Sequence, residues 1–442
     1  MIKLPEQVNK AICLLKSSGF EAYAVGGAVR DCLLGKVPFD WDITTSARPE
    51  ETEKVFCGER IIETGIKHGT VTVIIDGMPL EITTYRIDGN YTDHRHPQTV
   101  SFSDNLRDDL SRRDFTINTL CCNCDDKIVD AFGGKDDLKN KTIRCVGDPD
   151  TRFSEDALRI MRAVRFSAEL GFKIEKSTSD SILKNRQLLS DVSKERLQVE
   201  FTKLITGKYA TDVIRKYHAV IEVFIPELAP LVGCEQHTKY HKYDVFEHTL
   251  HAVDAVDFND RILRLTMFFH DFGKPDAKTT DENGTSHFKG HAVISEKKTR
   301  AILKRLKFDN NTINEVSKLV LIHDMKSPRD KIQAKKMMCS LGDEAYLNLI
   351  KIKRADNMAK ADPHAIDEKL KNMLSFYEEI KANNECYNLK SLAINGDDIK
   401  AFGIAEGKEI KSSLDFLLNG VIEGKCQNRK DVLLEYLKEN TK

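Results

Sequence analysis

Apolar residues first recur at helical spacing. Val8, Ala11, Ile12 and Leu15 share one face of the stretch 6–19, and Gly19 stands where such a helix would be capped. A short apolar run, Ala22-Tyr23-Ala24-Val25, follows and reads as a buried strand. Farther on, Thr70-Val71-Thr72-Val73-Ile74-Ile75 and Leu80-Glu81-Ile82-Thr83-Thr84-Tyr85-Arg86 flank Asp76-Gly77, the pattern of a hairpin with a two-residue turn. The polar, turn-rich segment 88–97 reads as a mobile loop. From about residue 150 the period is helical almost throughout. The pattern therefore predicts an α+β head giving way to a long all-α body, with no internal repeat.

Composition narrows this picture. A chain of 442 residues is too long for one compact core, so several domains are expected. Hydrophobic residues at 40% and charged residues at 31% describe a soluble globular protein. No apolar run is long enough to span a bilayer, and the N-terminus lacks the apolar core of a signal peptide. Eleven cysteines without the spacing of a disulfide framework suit a reducing cytoplasm. Among them, Cys121-Cys122-Asn123-Cys124 reads as a buried strand rather than a metal site. A formal net charge of -1 carries no overall nucleic-acid signature. RNA contact must then come from local basic surface, such as 297–307 or Lys351-Ile352-Lys353-Arg354, unless these are simply solvated helix faces.

Candidate chemistry begins at Val25-Gly26-Gly27-Ala28-Val29-Arg30-Asp31, followed by Phe39-Asp40-Trp41-Asp42-Ile43. Glycines opening a helix let backbone N–H groups approach a polyphosphate closely. On a strand, Asp40 and Asp42 at i and i+2 face the same way and together could hold divalent metals for an in-line phosphoryl displacement. Each half alone is common in turns and strand ends; their combination favours a site. Glu81 is either a third carboxylate or a surface residue. In Ser111-Arg112-Arg113-Asp114-Phe115-Thr116-Ile117-Asn118, the Arg113 fork suits phosphate oxygens, while Asp114 and Asn118 suit ribose hydroxyls. In the helical stretch from Glu155 to Phe166, Asp156 and Arg159 fall at i and i+3. They either pair with each other or read a base edge, the carboxylate taking an exocyclic amino group and the guanidinium a ring acceptor. That choice admits cytosine and adenine and disfavours uracil. Arg162 and Arg165 would extend the basic edge of the same helix toward phosphate.

These segments, with the Gly133-Gly134 turn and Lys194-Glu195-Arg196 plus Glu200, resemble in order the motifs of class II CCA-adding tRNA nucleotidyltransferases of the DNA polymerase β-like superfamily. The resemblance covers residues 25–203. It implies Mg²⁺ on Asp40 and Asp42, triphosphate contacts from Gly27 and Arg30, and ribose or phosphate contacts near Arg113. It also implies that Asp156 and Arg159 select the incoming base as a protein template. The partners it implies are tRNA, with CTP and ATP as substrates, and neither a membrane nor an obligatory protein partner. The loop-like segment 88–97 disfavours an enzyme that stops after two cytidines, and Thr64–Thr70 does not match a poly(A) polymerase signature. An A-adding enzyme stays open.

Eight of the 13 histidines fall between His237 and His323. His248, His270-Asp271, His287, His291, His323 and Asp356 carry imidazole and carboxylate groups suited to divalent metals in hydrolysis. The region resembles an HD phosphohydrolase domain. The resemblance implies metal ligation by His248, His270, Asp271 and Asp356, with His291 and His323 as auxiliary ligands or phosphate contacts, and a metal of unspecified identity. A hydrolase whose N-terminal region merely binds RNA or nucleotide is the rival of another class. The expected organisation is a nucleotidyltransferase head with a mixed sheet (1–145), a helical neck and body (146–235), an HD domain (236–384) and a C-terminal helical tRNA-binding module (385–442).

Overall fold

A computed structural model describes residues 2–63, 65–66, 69–89, 99–125, 127–238, 240–404 and 407–440. The expected loop at 88–97 lies largely outside the described residues. The chain divides into two compact units, Met1–Ala229 and Pro230–Lys442.

The first unit opens with the expected amphipathic helix, Glu6–Ser17, which buries Val8, Ala11, Ile12 and Leu15. Gly19 donates to the Lys16 carbonyl and Phe20 to that of Leu15, closing the helix as the sequence predicts. Nine strands follow: β1 Ala22–Val25, β2 Asp42–Thr45, β3 Arg60–Ile62, β4 Thr70–Ile75, β5 Met78–Thr84, β6 Arg86–Asp88, β7 Val100–Phe102, β8 Cys121–Cys122 and β9 Ile128–Val129. Seven of them form one sheet in the order β3-β4-β5-β2-β1-β8-β9, while β6 and β7 make a separate ribbon. The β4–β5 hairpin turns at Asp76-Gly77, both at positive φ, in the predicted place. Its second strand starts at Met78, two residues earlier than the apolar pattern shows, because the two-residue turn pairs Ile75 with Met78. β2 and β5 are the parallel pair, with Asp42 opposite Glu81. Antiparallel pairing sets Val25 opposite both Asp42 and Cys121. Cys121 and Cys122 are fully buried, as expected of a core strand.

The rest of this unit is helical except for one short parallel pair, Thr142–Ile143 with Lys173–Ile174. The helix Leu158–Leu170 is its centre, packing against Lys194–Ile205 and Ala210–Ile221. The second unit is built from helices with one small ribbon, Thr279–Thr280 with Ser286–His287. Its C-terminal part has an apolar cluster of its own, including Ile399, Leu417, Leu433 and Leu437.

Candidate active sites

The first site sits where β1 ends and β2 begins, beside the middle of β5. Gly26 adopts φ 82° and ψ -135°, a conformation reserved for glycine. A side chain there would meet Arg113 Nη1 at 3.2 Å and Asp42 Oδ2 at 4.0 Å. The glycine therefore lets the backbone, an arginine and a carboxylate share one small volume. The helix Gly27–Leu33 starts at the next residue. β2 begins at Asp42, so Asp40 lies just before the strand rather than on it. Exposed Asp40 and Asp42 alternate with buried Trp41 and Ile43, so the two acids share one side of the chain as it enters β2. Asp42 is open to solvent in a setting crowded by protein atoms. Lost hydration, with Glu81 and Asp40 nearby, raises its pKa to about 6 against the pull of Arg113. Such a crowd of acids fits a cation.

Arg113 is steered by a residue that the motif reading passed over. Asp109 is fully buried and binds Arg112 at 2.6 Å and Arg113 at 3.4 Å, and it accepts from Thr44 Oγ1 at 3.0 Å. Burial opposes its ionisation, but the two guanidiniums prevail and its pKa falls. Its place in the first turn of the helix Leu106–Ser111 was the available signal.

Behind these groups runs a polar relay. Arg30 Nη1 donates to Asn118 Oδ1 at 2.8 Å, and Asn118 Nδ2 donates to Asp114 Oδ1 at 2.9 Å. Asp114 pairs with Arg162 at 2.6 Å. Despite burial, Arg162 and Asn118 hold the Asp114 carboxyl down to about 2. Arg30 also lies 4.9 Å over the Phe166 ring.

Asp156 and Arg159 are near in sequence yet do not pair with each other. Asp156 ends the helix Pro149–Glu155 in extended conformation and binds Arg196 at 2.8 Å. Arg159, in the next helix, binds Glu155 at 2.6 Å and donates to the Arg112 carbonyl at 3.0 Å. Arg196 and Glu200, part of the fifth motif, thereby gain structural explanations. Glu200 holds Arg165 at 2.6 Å, with both side chains under 10% exposed. The expectation that Arg165 extends the outer basic edge is therefore corrected: it faces the core. Arg162 likewise turns to Asp114 instead of free solvent.

The second site lies within the helical unit. His248 comes from the helix Val245–Asp254, His270 caps Arg261–Phe269, His291 opens His291–Arg305, His323 caps Asn310–Ile322, and Asp356 sits in the last turn of Asp343–Met358. The Nδ1 atoms of His248, His270, His291 and His323 face the carbonyls of Ala359, Met267, Phe288 and Val320, at 3.2, 2.6, 2.8 and 2.6 Å. A carbonyl can only accept, so each Nδ1 carries the hydrogen, and in the neutral ring the lone pair is on Nε2. The Nε2 atoms converge: His248 and His270 Nε2 are 3.4 Å apart, and His291 and His323 Nε2 are 3.1 Å apart. Asp271 lies between the pairs. One carboxylate oxygen is 3.1 Å from His270 and 3.3 Å from His248, the other 3.5 Å from His291 and 3.7 Å from His323. The residue is 1% exposed, and the closest charge to its carboxylate is Lys274 Nζ at 2.7 Å. Asp356 adds a contact of 3.0 Å to His248. Imidazole nitrogens converging on a buried carboxylate are a donor set suited to divalent cations.

Electrostatics favour the neutral ring at His248 and His323 and the charged ring at His270. Burial drives His248 down and His323 down to about 3. At His270 burial also lowers the pKa, but Asp271 and Asp356 reverse it. Asp271 and Asp356 lie well below the carboxylate range, despite burial, through His270, Lys274 and Lys360. Two lysines absent from the sequence reading complete the site. Lys274 Nζ is 2.7 Å from Asp271 and 2.8 Å from Gln236 Oε1, and Lys360 is 2.5 Å from Asp356. The signal was position, since Lys274 follows Asp271 at i+3 and Lys360 follows Asp356 at i+4. Gly273 has no room for a side chain, because a Cβ would fall 2.4 Å from the His291 carbonyl. A cavity of about 380 Å³ opens onto Asp271, His291, His323 and Asp356. His287 lines it too but pairs outward with Asp281 at 2.9 Å.

Comparison with known proteins places both units. The family description "Poly A polymerase head domain" matches residues 22–144, an RNA and SrmB-binding site of polymerase A matches 171–231, and tRNA nucleotidyltransferase domain 2 matches 279–437. A CCA-adding enzyme of Geobacillus kaustophilus is 33% identical over 99% of this chain and 97% of its own. One from Lactobacillus helveticus is 51% identical over 47% of this chain and 52% of its own. The crystal structure of the Bacillus stearothermophilus CCA-adding enzyme in complex with CTP superposes with a TM-score of 0.68. It is 29% identical, covering 98% of this chain and 96% of that one. A Thermotoga maritima CCA-adding enzyme complexed with tRNA, 21% identical with a TM-score of 0.64, shares the fold. With one-third identity along nearly the whole of both chains, this protein belongs to the family of CCA-adding enzymes.

Proposed function

We propose that the chain adds cytidine, cytidine and adenosine in turn to the 3′ end of tRNA, taking CTP and ATP as donors. The observation that carries this is the convergence of Gly26, Arg113 and Asp42 within one contact distance on the head sheet. The 3′-hydroxyl oxygen bonds to the α-phosphorus as the bond to the β-phosphate oxygen breaks, and pyrophosphate leaves. Gly27 N–H, at the positive end of its helix, and the Arg30 and Arg113 guanidiniums receive triphosphate charge. Asp114 and Asn118 take the ribose, positioned through Arg162 and Arg30. Asp156 and Arg159 present an acceptor and donors to the base edge, with Arg196 and Glu155 fixing their directions. Asp40 and Asp42, with Glu81 alongside, would hold a divalent cation, Mg²⁺ in this reading. Bound there, it would favour ionisation of the attacking hydroxyl and offset charge on the departing pyrophosphate.

The second unit supports a second reading, a metal-dependent phosphohydrolase at His248, His270, Asp271 and Asp356, with His291 and His323 on the far side of Asp271. The four locked imidazole tautomers favour it. All eleven cysteines are free, which fits a cytoplasmic setting, and among the described residues no helix is long and apolar enough to cross a membrane.

The test is incubation with Mg²⁺, CTP and ATP and with tRNA transcripts ending before CCA or after CC. Growth of the first by three nucleotides is expected. Growth only of the CC-ended transcript would make it an A-adding enzyme, and growth of neither would leave the hydrolase reading alone.

A further inference from the structure

Two apolar side chains stand out beside the transfer site. Phe39 is 102% exposed and Val37 94%, whereas the next large apolar side chain among the described residues, Tyr240, is 61% exposed. They lie on the loop between the helix Gly27–Leu33 and β2, one turn of chain before Asp42. The loop is pinned at both ends: Lys36 N–H donates to the Asp31 carbonyl at 2.9 Å, and Trp41 is only 6% exposed. Pro38 restricts the backbone between the two apolar residues. Trp41 is thus anchored inward while Phe39, two residues earlier, stands fully in solvent.

We propose that Phe39, with Val37 beside it, is a stacking platform for the 3′-terminal base of the RNA that accepts the next nucleotide. This rests on the transferase reading above. Phe39 is three positions before Asp42, a span of at most about 11 Å. The acceptor hydroxyl must reach the phosphorus next to Asp42, so the terminal nucleotide lies against this loop. The base of the incoming nucleotide already has Asp156 and Arg159. The terminal base, by contrast, changes identity after every addition. A hydrogen-bonding site built for one base would reject the next, whereas every base offers a π face to an aromatic ring. Exposed Lys36, one residue before Val37, complements the phosphate backbone of such a strand.

The probe is a tRNA acceptor RNA ending in 2-aminopurine, whose fluorescence is quenched on stacking. It is titrated into the wild-type chain and into Phe39→Ala and Phe39→Tyr, with initial rates measured in parallel on unlabelled transcripts. Quenching is expected with wild type and Phe39→Tyr and is lost in Phe39→Ala. In that variant the KM for RNA rises about 5- to 150-fold, the range for one base stacked on an aromatic ring, while the KM for CTP is unchanged. Unaltered Trp41 emission shows that the variant is folded. Quenching retained by Phe39→Ala, or an equal rise in the KM for CTP, overturns the platform. So does a dimer that Phe39→Ala dissolves while RNA binding persists, because the loop then faces a second copy. Wild-type quenching without nucleotide addition leaves the platform standing and overturns the transferase reading instead.

Discussion

Replacing Asp114 with asparagine isolates one charge in the relay behind the transfer site. The amide keeps the shape and can still accept from Asn118, so the lost element is the ion pair to Arg162 at 2.6 Å. The carboxyl's titration gives the net worth of its charge, to which Arg162 contributes most and Asn118 and Arg159 add, against the cost of burial. A fall from the ordinary 3.8 to about 2 in the folded protein corresponds to about 2 kcal/mol, at about 1.36 kcal/mol per pH unit. Because the folded pKa is the lower one, the stabilisation is complete above the unfolded pKa and disappears as pH falls through about 2. About half of it should be gone by pH 3. The assay has a built-in reporter: Trp41 is the single tryptophan, buried in the same unit as Asp114. Urea unfolding followed by its fluorescence should show the midpoint of Asp114→Asn lowered by roughly 1 M at pH 7, given a slope of about 2–3 kcal/mol per M for a unit of this size. The gap between variant and wild type should narrow as pH drops from 5 toward 3. The KM for CTP should rise as well, because the relay from Arg30 through Asn118 then ends on a neutral amide no longer paired with Arg162. An unchanged midpoint at pH 7, or a gap independent of pH, would refute the electrostatic account.

Other perturbations test other joints of the structure. Gly26→Ala forces a side chain into a glycine-only conformation and against Arg113, so unit stability should fall by about 1–3 kcal/mol and CTP binding should weaken; full activity at unchanged stability would remove the close-approach argument. Glu200→Gln removes one of the two counter-charges of the buried Arg165, leaving Glu169 at 3.2 Å, and urea unfolding should show a loss of about 1–3 kcal/mol with little change in KM for nucleotide. A nucleotide-specific defect there would return Arg165 to the substrate. Asp40→Ala with Asp42→Ala should abolish nucleotide addition without lowering the Trp41-reported stability, since it relieves like-charge crowding; survival of addition rejects the metal assignment. His270→Ala with Asp271→Ala should remove bound divalent metal, read by elemental analysis, and any phosphatase turnover while sparing CCA addition. Equal metal content in variant and wild type rejects the second site.

Much of this architecture could be read from residue order. The hairpin at Asp76-Gly77, the capped helix at 6–19 and the core strand at Cys121-Cys122 depend on local periodicity and turn chemistry, and each is where the pattern places it. The ordered motifs likewise pointed to the family, because glycines, arginines and acids at fixed spacing encode backbone approach and charge. Spacing failed where partners come from far along the chain. Asp156 and Arg159 look like an i, i+3 pair, but a helix break at Asp156 and a partner 40 residues away, Arg196, decide otherwise. Arg165 shares a helix with Arg162, yet Glu200 draws it inward.

The sequence by itself determined the elements, the family and the inventory of chemical groups, since these follow from short-range steric and hydrophobic rules. Only the tertiary structure decided which groups meet: Asp109 gripping Arg113, Gly26 seated between Arg113 and Asp42, and Asp271 set between two pairs of histidines. Those meetings join residues tens of positions apart through the packing of strands and helices, and no local period along a chain carries that information.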